Sequence, residues 1–393
     1  MRTYLTGVCD MNNPATWSGI PYHFLEAGHR AGMIDEGLDL SVDSLGWKLL
    51  RFGWNAAMLL RGRRYGGFQY SDWFLQQLYG PLEGKLAGNR LINCFQMFPR
   101  SIVMNAAIEK WFYIDTTLKQ LFASYGANID SKTRSEILER ERAGYQSAAG
   151  IVGHSLWAAK SVIHDYGIAA HKVQAIVPGA NVDREEYANW DSGQQWIARP
   201  EDGRPVKLVF VGNISRRKGF DRLLEALVLA CSQGGDFILR VIGSGQDLVP
   251  APYRANKKIE WCGFLDKRTD ARAFLHLVAE GDIGCLFSRA EAGEIVLREF
   301  HALGLAALGP DVGGAPEHMI PGASIPISVL ATPADIADTL LGLCRNRQRI
   351  ESMRSAAWQA RHTALWDATV IQMRAFMSSL EEQTQSGQGG ARC

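Results

Sequence analysis

Short apolar runs alternate along the chain with longer stretches whose apolar residues recur at helical spacing. The first pair is an apolar run over 2–9 that is followed, after a polar loop, by a helical pattern over 20–31. Strand-like runs recur in the first half at 90–98, 110–114, 150–155 and 173–177, and in the second half at 206–211, 237–242, 259–262, 283–287 and 306–308. Strands that alternate with helices are typical of parallel sheets covered by helices. The pattern therefore predicts an α/β protein with doubly wound sheets.

The length of the chain predicts two domains, because 393 residues exceed what one hydrophobic core usually organises. Residues 184–205 mix acids, two tryptophans and two prolines without clear periodicity and indicate a linker. We predict a first domain over 1–190, a linker over 191–205, a second domain over 206–362, a further helix over 363–382 and a disordered tail over 383–393.

Composition indicates a compact enzyme and sets limits on its partners. The chain is 47% hydrophobic and has a net charge of +1, so its overall field does not favour nucleic acid. The seven cysteines are far apart and form no C-x-x-C pair, which predicts reduced thiols in a cytoplasmic protein and no zinc site. We find neither an apolar signal segment at the start nor an apolar run of the ~18 residues that a membrane helix needs.

The segment 288–304 carries the first candidate chemistry. A strand precedes it, and a helix is expected to begin near Glu294. Amides at a helix start suit a phosphate group, and Gly293 would let such a ligand approach the backbone closely. Glu299 would lie about one and a half turns into the helix, where a carboxylate can accept hydrogen bonds from a ribose diol, and Glu291 could do the same for a sugar ring. Taken alone, the pair is better explained as charges on a solvated helix.

A basic loop upstream changes this interpretation. Arg216, Arg217 and Lys218 lie between a strand end and Gly219, which opens the next helix. Cations at a helix start oppose the helix dipole, so helix stability does not explain them. A bound polyanion would, since lysine supplies a point charge and arginine a fork of donors for phosphate oxygens. A solvated surface loop remains the alternative.

Together these motifs resemble the C-terminal domain of the retaining glycosyltransferases of family 4. The resemblance rests on the order and spacing of motifs over roughly 180 residues. They are Val211-Gly212, Lys218-Gly219, Val241-Ile242-Gly243-Ser244-Gly245, Gly263-Phe264, the Glu291–Glu299 segment and Gly313-Gly314-Ala315-Pro316-Glu317. The first half is similar more loosely, through Trp17-Ser18-Gly19-Ile20-Pro21-Tyr22, Ser155-Leu156-Trp157-Ala158-Ala159 and Pro178-Gly179-Ala180-Asn181-Val182-Asp183.

The resemblance implies a GT-B fold, with two Rossmann-like domains that face each other across a cleft and a last helix that crosses back to the first domain. It implies that Lys218 holds the donor diphosphate, Glu299 the ribose and Glu291 the transferred sugar. The donor-binding residues that it implies are Gly19, Arg216, Arg217, Lys218, Gly263, Phe264, Leu265, Glu291, Gly293, Glu294, Ile295 and Glu299.

The implied activity is retaining transfer of a hexosyl unit from a UDP- or GDP-sugar to a glycan, glycolipid or other acceptor. The sequence contains no D-x-D triplet, the feature with which another glycosyltransferase fold binds a metal on the diphosphate. Cations and helix dipoles would then neutralise the leaving group, and we predict neither metal nor cofactor. The nucleotide sugar is a co-substrate.

Two residues depart from the family pattern. Asn213 occupies the place of a phosphate-binding arginine, which Arg216 or Arg217 could replace. Asp115 follows a strand where many relatives carry a histidine near the reacting sugar. It could orient the acceptor, and we count it with Glu291 and Lys218 as a candidate catalytic residue, but an aspartate after a strand is also a common helix cap. These departures leave open an inactive nucleotide-sugar-binding subunit, beside the alternative of a sugar phosphorylase or epimerase on the same fold.

The segment 47–65 interleaves cations with aromatic and aliphatic residues and contains no acid. Such a segment can lie on an anionic lipid surface, which would bring a cytoplasmic enzyme to the inner face of the membrane and to lipid-linked acceptors. A helix packed on its own domain, with arginines that reach back to water, is the alternative.

Overall fold

The computed structural model describes residues 1–42, 44–64, 66–126, 128–196, 198 and 203–389, with the backbone alone over 384–389. The chain forms two compact units. Unit 1 comprises Met1–Val177 and Thr369–Cys393, and unit 2 comprises Pro178–Ala368. No helix in these described ranges is long and apolar enough to span a membrane.

Unit 1 is built on a six-stranded sheet in the order β2-β1-β3-β4-β5-β6, with every neighbouring pair parallel. Its four inner strands are almost wholly buried, as parallel strands with helices on their faces require, and its two edge strands are half-buried. They are β1 (Thr3–Thr6), β2 (Glu36–Gly37), β3 (Arg90–Asn93), β4 (Glu109–Ile114), β5 (Gly150–Gly153) and β6 (Val173–Ala175).

Within the described ranges, eight α-helices connect these strands. They are α1 (Ile20–Arg30), α2 (Leu45–Leu60), α3 (Asp72–Tyr79), α4 (Glu83–Leu86), α5 (Arg100–Met104), α6 (Leu118–Ser124), α7 (Ser131–Ser147) and α8 (Leu156–Tyr166). Most begin at a side-chain cap: Ser155 accepts the amide of Ala158 at the start of α8, for example.

Unit 2 repeats the plan with a second parallel six-stranded sheet, in the order β12-β11-β10-β7-β8-β9. Its strands are β7 (Val206–Val211), β8 (Phe237–Ile242), β9 (Ile259–Gly263), β10 (Ile283–Cys285), β11 (Ala306–Asp311) and β12 (Ser324–Ser328). Because carboxyl ends of parallel strands meet at one edge, the loops after β7, β8, β9, β10 and β11 start from the same edge. This edge carries most of the residues that the sequence analysis singled out.

The helices of unit 2 are α9 (Arg184–Ser192), α10 (Phe220–Ser232), α11 (Ala251–Arg254), α12 (Ala271–Ala279), α13 (Ile295–Ala302), α14 (Pro333–Arg345) and α15 (Arg347–Ala360). The last helix, α16 (Trp366–Gly389), begins at the end of unit 2 and continues on unit 1. There Phe376 packs edge-on against Trp111 with ring centroids 5.8 Å apart, and Glu381 pairs with Arg90.

The expected α/β architecture is confirmed, and the structure differs from the sequence analysis at the boundaries. Residues 184–192 are not linker but form α9, because Asp183 accepts the amide of Glu186 while Tyr187 and Trp190 are buried one turn apart. The division between units falls at Pro178 rather than at residue 190. The disordered tail expected over 383–393 is wrong as far as Gly389, where the last helix ends, and residues 390–393 lie outside the described residues.

Candidate functional site

The loop that follows β10 places the two predicted glutamates. The helix start expected near Glu294 is confirmed, since α13 begins at Ile295 with Glu294 as its N-cap residue. Glu291 lies in the loop just before the helix, and Glu299 lies in the second turn of α13. Gly293 is required here because a Cβ would come 2.7 Å from Nε2 of His318. The helix start and the loop before it are thus closely packed.

The basic loop after β7 lies directly against this segment. Nζ of Lys218 is 2.8 Å from Oε2 of Glu291 and 2.7 Å from Oε1 of Glu294. Nη1 of Arg217 donates to the same Glu291 oxygen at 2.8 Å and to the carbonyl of Ala290 at 3.0 Å. Two cations and two carboxylates therefore form one cluster, which we call the Lys218 cluster: Arg217, Lys218, Glu291 and Glu294.

Burial makes the Lys218 cluster electrostatically strong. Glu294 is 1% exposed and Glu291 is 9% exposed, so water screens little of the attraction between the charges. Burial, followed by the charge of Glu291, raises the pKa of Glu294 to about 7. Burial also opposes the charged form of Glu291, but Lys218, a hydrogen bond with Glu294 and Arg217 together lower its pKa. One proton can thus be held between two adjacent carboxyl groups at neutral pH.

Backbone contacts hold the basic loop in place. The amide of Arg289 donates to the carbonyl of Arg217 at 2.8 Å, and the guanidinium of Arg289 donates to both carboxylate oxygens of Asp221 at 2.7 and 2.8 Å. Gly219 has a φ of +68°, and a Cβ there would lie 1.9 Å from the carbonyl oxygen of Phe287. Only glycine permits this approach. Arg216 remains exposed beside the cluster.

Glu299 is paired with a residue that the sequence analysis did not single out. Nζ of Lys267 donates to Oε1 of Glu299 at 2.5 Å and to the carbonyl of Asn181 at 3.2 Å. Oε2 of Glu299 is buried and has no hydrogen-bond partner in the part of the chain that the structure describes. Burial raises the pKa of Glu299, against the opposing effects of Lys267 and of the backbone of Asn181. A buried carboxylate oxygen without a donor is ready to accept one from a ligand.

The loop after β9 carries the predicted base-binding residues. Gly263 has a φ of +73°, its carbonyl accepts the amide of Gly243 at 2.8 Å, and Phe264 is 69% exposed. Leu265 is half-buried. Lys267 follows Leu265 by two residues. Its position shortly after the Gly263-Phe264 motif is the sequence signal that could have identified it. Oδ1 of Asn213 accepts a hydrogen bond from Oγ of Ser244 at 2.6 Å.

Gly19 and Asp115 belong to unit 1, and their roles toward a donor stay predictions. Gly19 caps α1 at a φ of +83°, after Trp17 and Ser18, which also have positive φ angles of 44° and 57°. Three successive residues in this region form a strained turn, and such strain is frequent at ligand-binding loops.

Asp115 does not cap a helix. Thr117 caps α6 instead, in a capping box with Gln120, so the cap interpretation of Asp115 is wrong. Asp115 accepts from Nε2 of Gln96 at 3.5 Å. The ring centroids of His154 and Tyr113 are 4.2 Å apart. Burial lowers the pKa of His154 to about 3, so this imidazole is neutral.

Comparison with known proteins identifies the class. The family model described as "Glycosyl transferases group 1" matches residues 205–346. No curated protein sequence matches significantly. The solved structures that are similar include sucrose-phosphate synthase from Thermosynechococcus elongatus, at 15% identity and a TM-score of 0.66 over 98% of this chain and 100% of that one.

Two other solved structures are similar over nearly the whole chain. HepE from Anabaena in complex with UDP is 13% identical, with a TM-score of 0.64 over 96% of this chain and 100% of that one. WaaG, described as a glycosyltransferase involved in lipopolysaccharide biosynthesis, is 14% identical, with a TM-score of 0.62 over 95% of this chain and 98% of that one. The fold is therefore GT-B, and residues 205–346 match the group 1 glycosyl transferase model, so this segment is a glycosyltransferase domain. The matched segment contains the Lys218 cluster, Lys267 and Glu299.

Proposed function

We propose that the protein is a retaining glycosyltransferase that moves a hexosyl unit from a UDP- or GDP-sugar to a glycan, glycolipid or other acceptor without a metal. The observation that carries this proposal is the Lys218 cluster, together with Oε2 of Glu299 in the helix that follows it, a buried atom with no hydrogen-bond partner among the described residues. The structure of HepE with UDP and glucose is a similar fold that holds a nucleotide and a sugar, which supports the choice of ligand.

Each group has a distinct task in this proposal. Lys218 and Arg217 neutralise the diphosphate, with Arg216 at the exposed side, because a leaving group that gains negative charge is stabilised by fixed cations. Oε2 of Glu299 accepts a ribose hydroxyl, and Lys267 holds that carboxylate in place through Oε1. Glu291 accepts hydroxyls of the transferred sugar. The base lies at Gly263, Phe264 and Leu265.

Transfer then proceeds on one face of the sugar. The bond from the anomeric carbon to the phosphate oxygen breaks while the acceptor hydroxyl oxygen bonds to the same carbon. The hydroxyl proton passes to the departing phosphate oxygen, so no side chain has to serve as the base. Asp115 would orient the acceptor hydroxyl. Because Thr117 caps α6, the carboxylate of Asp115 is not used as a helix cap, which supports this role.

A panel of nucleotides tests the donor site. UDP, GDP and ADP are added to the protein while its thermal unfolding is followed. We expect a diphosphate of one base to raise the unfolding free energy by about 2.7 kcal/mol at 100 times its Kd, because a ligand that binds only the native state stabilises it by mass action. If neither UDP nor GDP shifts the unfolding temperature, the assigned donor site is wrong.

An inactive nucleotide-sugar-binding subunit is the second candidate. Asn213 favours it, since its amide oxygen is engaged with Ser244 and it brings no charge to the diphosphate. The two candidates differ in turnover: the active enzyme hydrolyses or transfers its donor sugar, whereas the inactive subunit binds it unchanged. Release of free sugar from the nucleotide sugar that stabilises the protein distinguishes them.

On the acceptor side we propose that α2 lies on an anionic membrane surface. Trp47 and Trp54 face inward, where their rings pack at 5.1 Å from Phe74 and 6.0 Å from Phe68. The opposite face of the helix is apolar and exposed. Its exposed side chains are Leu45 at 72%, Leu49 at 63%, Phe52 at 74%, Leu59 at 58% and Leu60 at 89%.

The charge of this segment complements an anionic surface. Lys48, Arg51, Arg61 and Arg64 lie on or just after α2, and residues 44–65 contain no acid. Basic residues near an anionic bilayer contribute about 1 kcal/mol each, and buried apolar side chains add to this. A helix that only packs on its own unit would not need leucines on the outer face. The proposed location is the cytoplasmic side of the membrane.

Flotation with lipid vesicles tests the membrane contact. We expect the protein to float with vesicles that contain phosphatidylglycerol and to remain in solution with phosphatidylcholine alone. The double variant Phe52→Ser and Leu60→Ser should lose at least about a hundredfold in partitioning, since each side chain contributes about 1.5–3 kcal/mol when buried. Leu330→Ser is the matched control, because Leu330 is 86% exposed but lies in unit 2. Equal loss in that control would contradict the proposal.

A further inference from the structure

Glu294 has a side chain whose position helix stability does not explain. Glu294 is the N-cap residue of α13, yet its side chain makes no capping hydrogen bond. It turns instead toward the basic loop, where Oε1 accepts from Lys218 at 2.7 Å and Oε2 accepts from Oγ of Ser288 at 3.0 Å. Burying a carboxylate is costly unless a partner compensates it. Its partner here is the lysine that the proposed reaction needs.

Lys218 cannot donate hydrogen bonds equally well to both carboxylates and to a diphosphate. Its ammonium group has three donors, and Glu291 and Glu294 occupy two of them. The formal charge of the Lys218 cluster is zero when both glutamates are ionised. A diphosphate that enters would meet two carboxylates as well as two cations. One added proton on Glu294 gives the cluster a net charge of +1 and frees a donor of Lys218.

The surroundings of Glu294 favour this protonation. Lys218 binds it from the basic loop, and Glu291, which is paired with Arg217, lies beside it on the same Lys218. His318 packs against the neighbouring Gly293, and Glu299 lies one and a half turns further along α13. Glu291 interacts with it directly as a like charge, and burial adds to this effect, so the pKa of Glu294 is raised. When protonated, its hydroxyl can donate to Glu291, as two carboxyl groups that share a site commonly do.

We infer that Glu294 is a positioning residue whose protonation releases Lys218 to the donor diphosphate, so that nucleotide binding is coupled to the uptake of one proton. This inference rests on the proposed function, because it concerns the same donor site. The proton comes from the solvent, and no bond other than the O–H bond of Glu294 is formed. The anionic ligand favours the protonated form, so the pKa of Glu294 rises further in the complex.

The sign of the pH dependence follows from linkage. A group that binds a proton more tightly in the complex than in the free protein weakens binding as the pH rises through its pKa in the free protein. We expect the affinity for the nucleotide to be nearly constant below pH 7 and to fall by up to about tenfold per pH unit above it, because one pKa unit corresponds to a factor of ten.

Titration calorimetry in two buffers measures the proton directly. UDP and GDP are titrated at pH 8 in phosphate and in Tris, whose ionisation enthalpies differ. For the wild-type protein the difference in binding enthalpy should correspond to uptake of close to one proton per nucleotide. For Glu294→Gln it should correspond to none, and the affinity should no longer change between pH 6.5 and 8.5. Glu225→Gln, an exposed position on α10, is the control that should behave as wild type.

The possible results separate the inference from the proposed function. If neither nucleotide binds the wild-type protein, the donor site itself is wrong. If a nucleotide binds without proton uptake, the donor site stands and the role of Glu294 is wrong. Uptake that persists in a folded Glu294→Gln variant would assign the proton to another group and also overturn the inference. Thermal unfolding of the variant shows whether it is folded.

Discussion

Replacing Lys218 by alanine is expected to lower kcat/KM for the nucleotide sugar by about 10³-fold, since cations that stabilise a transferring or departing phosphate commonly contribute this much. The change removes the charge that opposes the leaving diphosphate. It also leaves two buried carboxylates beside the ligand: Glu291, which is still paired with Arg217, and Glu294, which is hydrogen-bonded to the hydroxyl of Ser288. Initial rates of sugar release or transfer, measured with the nucleotide sugar that stabilises the protein, provide the test.

Two further variants make this test specific. Lys258→Ala removes a lysine from a surface ion pair with Asp236 in the same unit and should change the rate little. Combining Lys218→Ala with Glu294→Gln removes the uncompensated charge, so the double variant should fold at least as stably as Lys218→Ala but remain inactive. Wild-type rates in a folded Lys218→Ala protein would show that the Lys218 cluster is not the donor site.

The second large effect is expected in the core of unit 1, at Glu141. This residue of α7 is fully buried, and it accepts from the amide of Leu118 at 2.8 Å, from the hydroxyl of Tyr145 at 2.7 Å and from the hydroxyl of Tyr166. Glu141→Ala would leave three buried donors without an acceptor and is expected to lower the free energy of unfolding by about 3–5 kcal/mol. Denaturant unfolding measures the difference.

Glu141 also predicts how stability depends on pH. Burial raises its pKa to about 7, against the opposing effect of its three hydrogen bonds. Between the ordinary pKa of a glutamate and 7, the folded protein binds a proton that the unfolded chain releases, so this contribution to stability falls as the pH rises. Over this window the loss is about 3 kcal/mol, at 1.36 kcal/mol per pKa unit. Glu141→Gln should remove this part of the slope and leave the part that Glu294 contributes in the same way, whereas Glu139→Gln at an exposed neighbouring position should retain both parts.

The site shows which kinds of inference a sequence permits. The start of α13 at Ile295 follows from a strand, a loop with glycine and a helical apolar pattern, all of which are local. The pairing of Lys218 with Glu294 is not local, since the two residues are 76 positions apart. Glu294 was expected to contribute only its backbone amide at the helix start. Nothing in the sequence pattern indicated a role for its side chain.

The presence of two neighbouring candidate N-cap residues explains why the helix-cap interpretation of Asp115 was wrong. Asp115 and Thr117 follow the same strand, and both residue types cap helices well. Gln120 stands three residues after Thr117 and completes a capping box with it, which decides the competition in favour of Thr117. The signal was present in the sequence, but two candidates lay within three residues.

The alternation of strands and helices, the two-unit organisation and the positions of the chemical motifs were determined by the sequence alone, because apolar periodicity and glycine spacing act over a few residues. The short strands β2 and β12 and the helix α9 were decided by tertiary structure, since edge strands exist only through their neighbours and Tyr187 and Trp190 are stabilised by burial. The same holds for the partners of the buried charges. Lys267 meets Glu299, and Lys218 meets two glutamates, because parallel strands bring their following loops to one edge of the sheet.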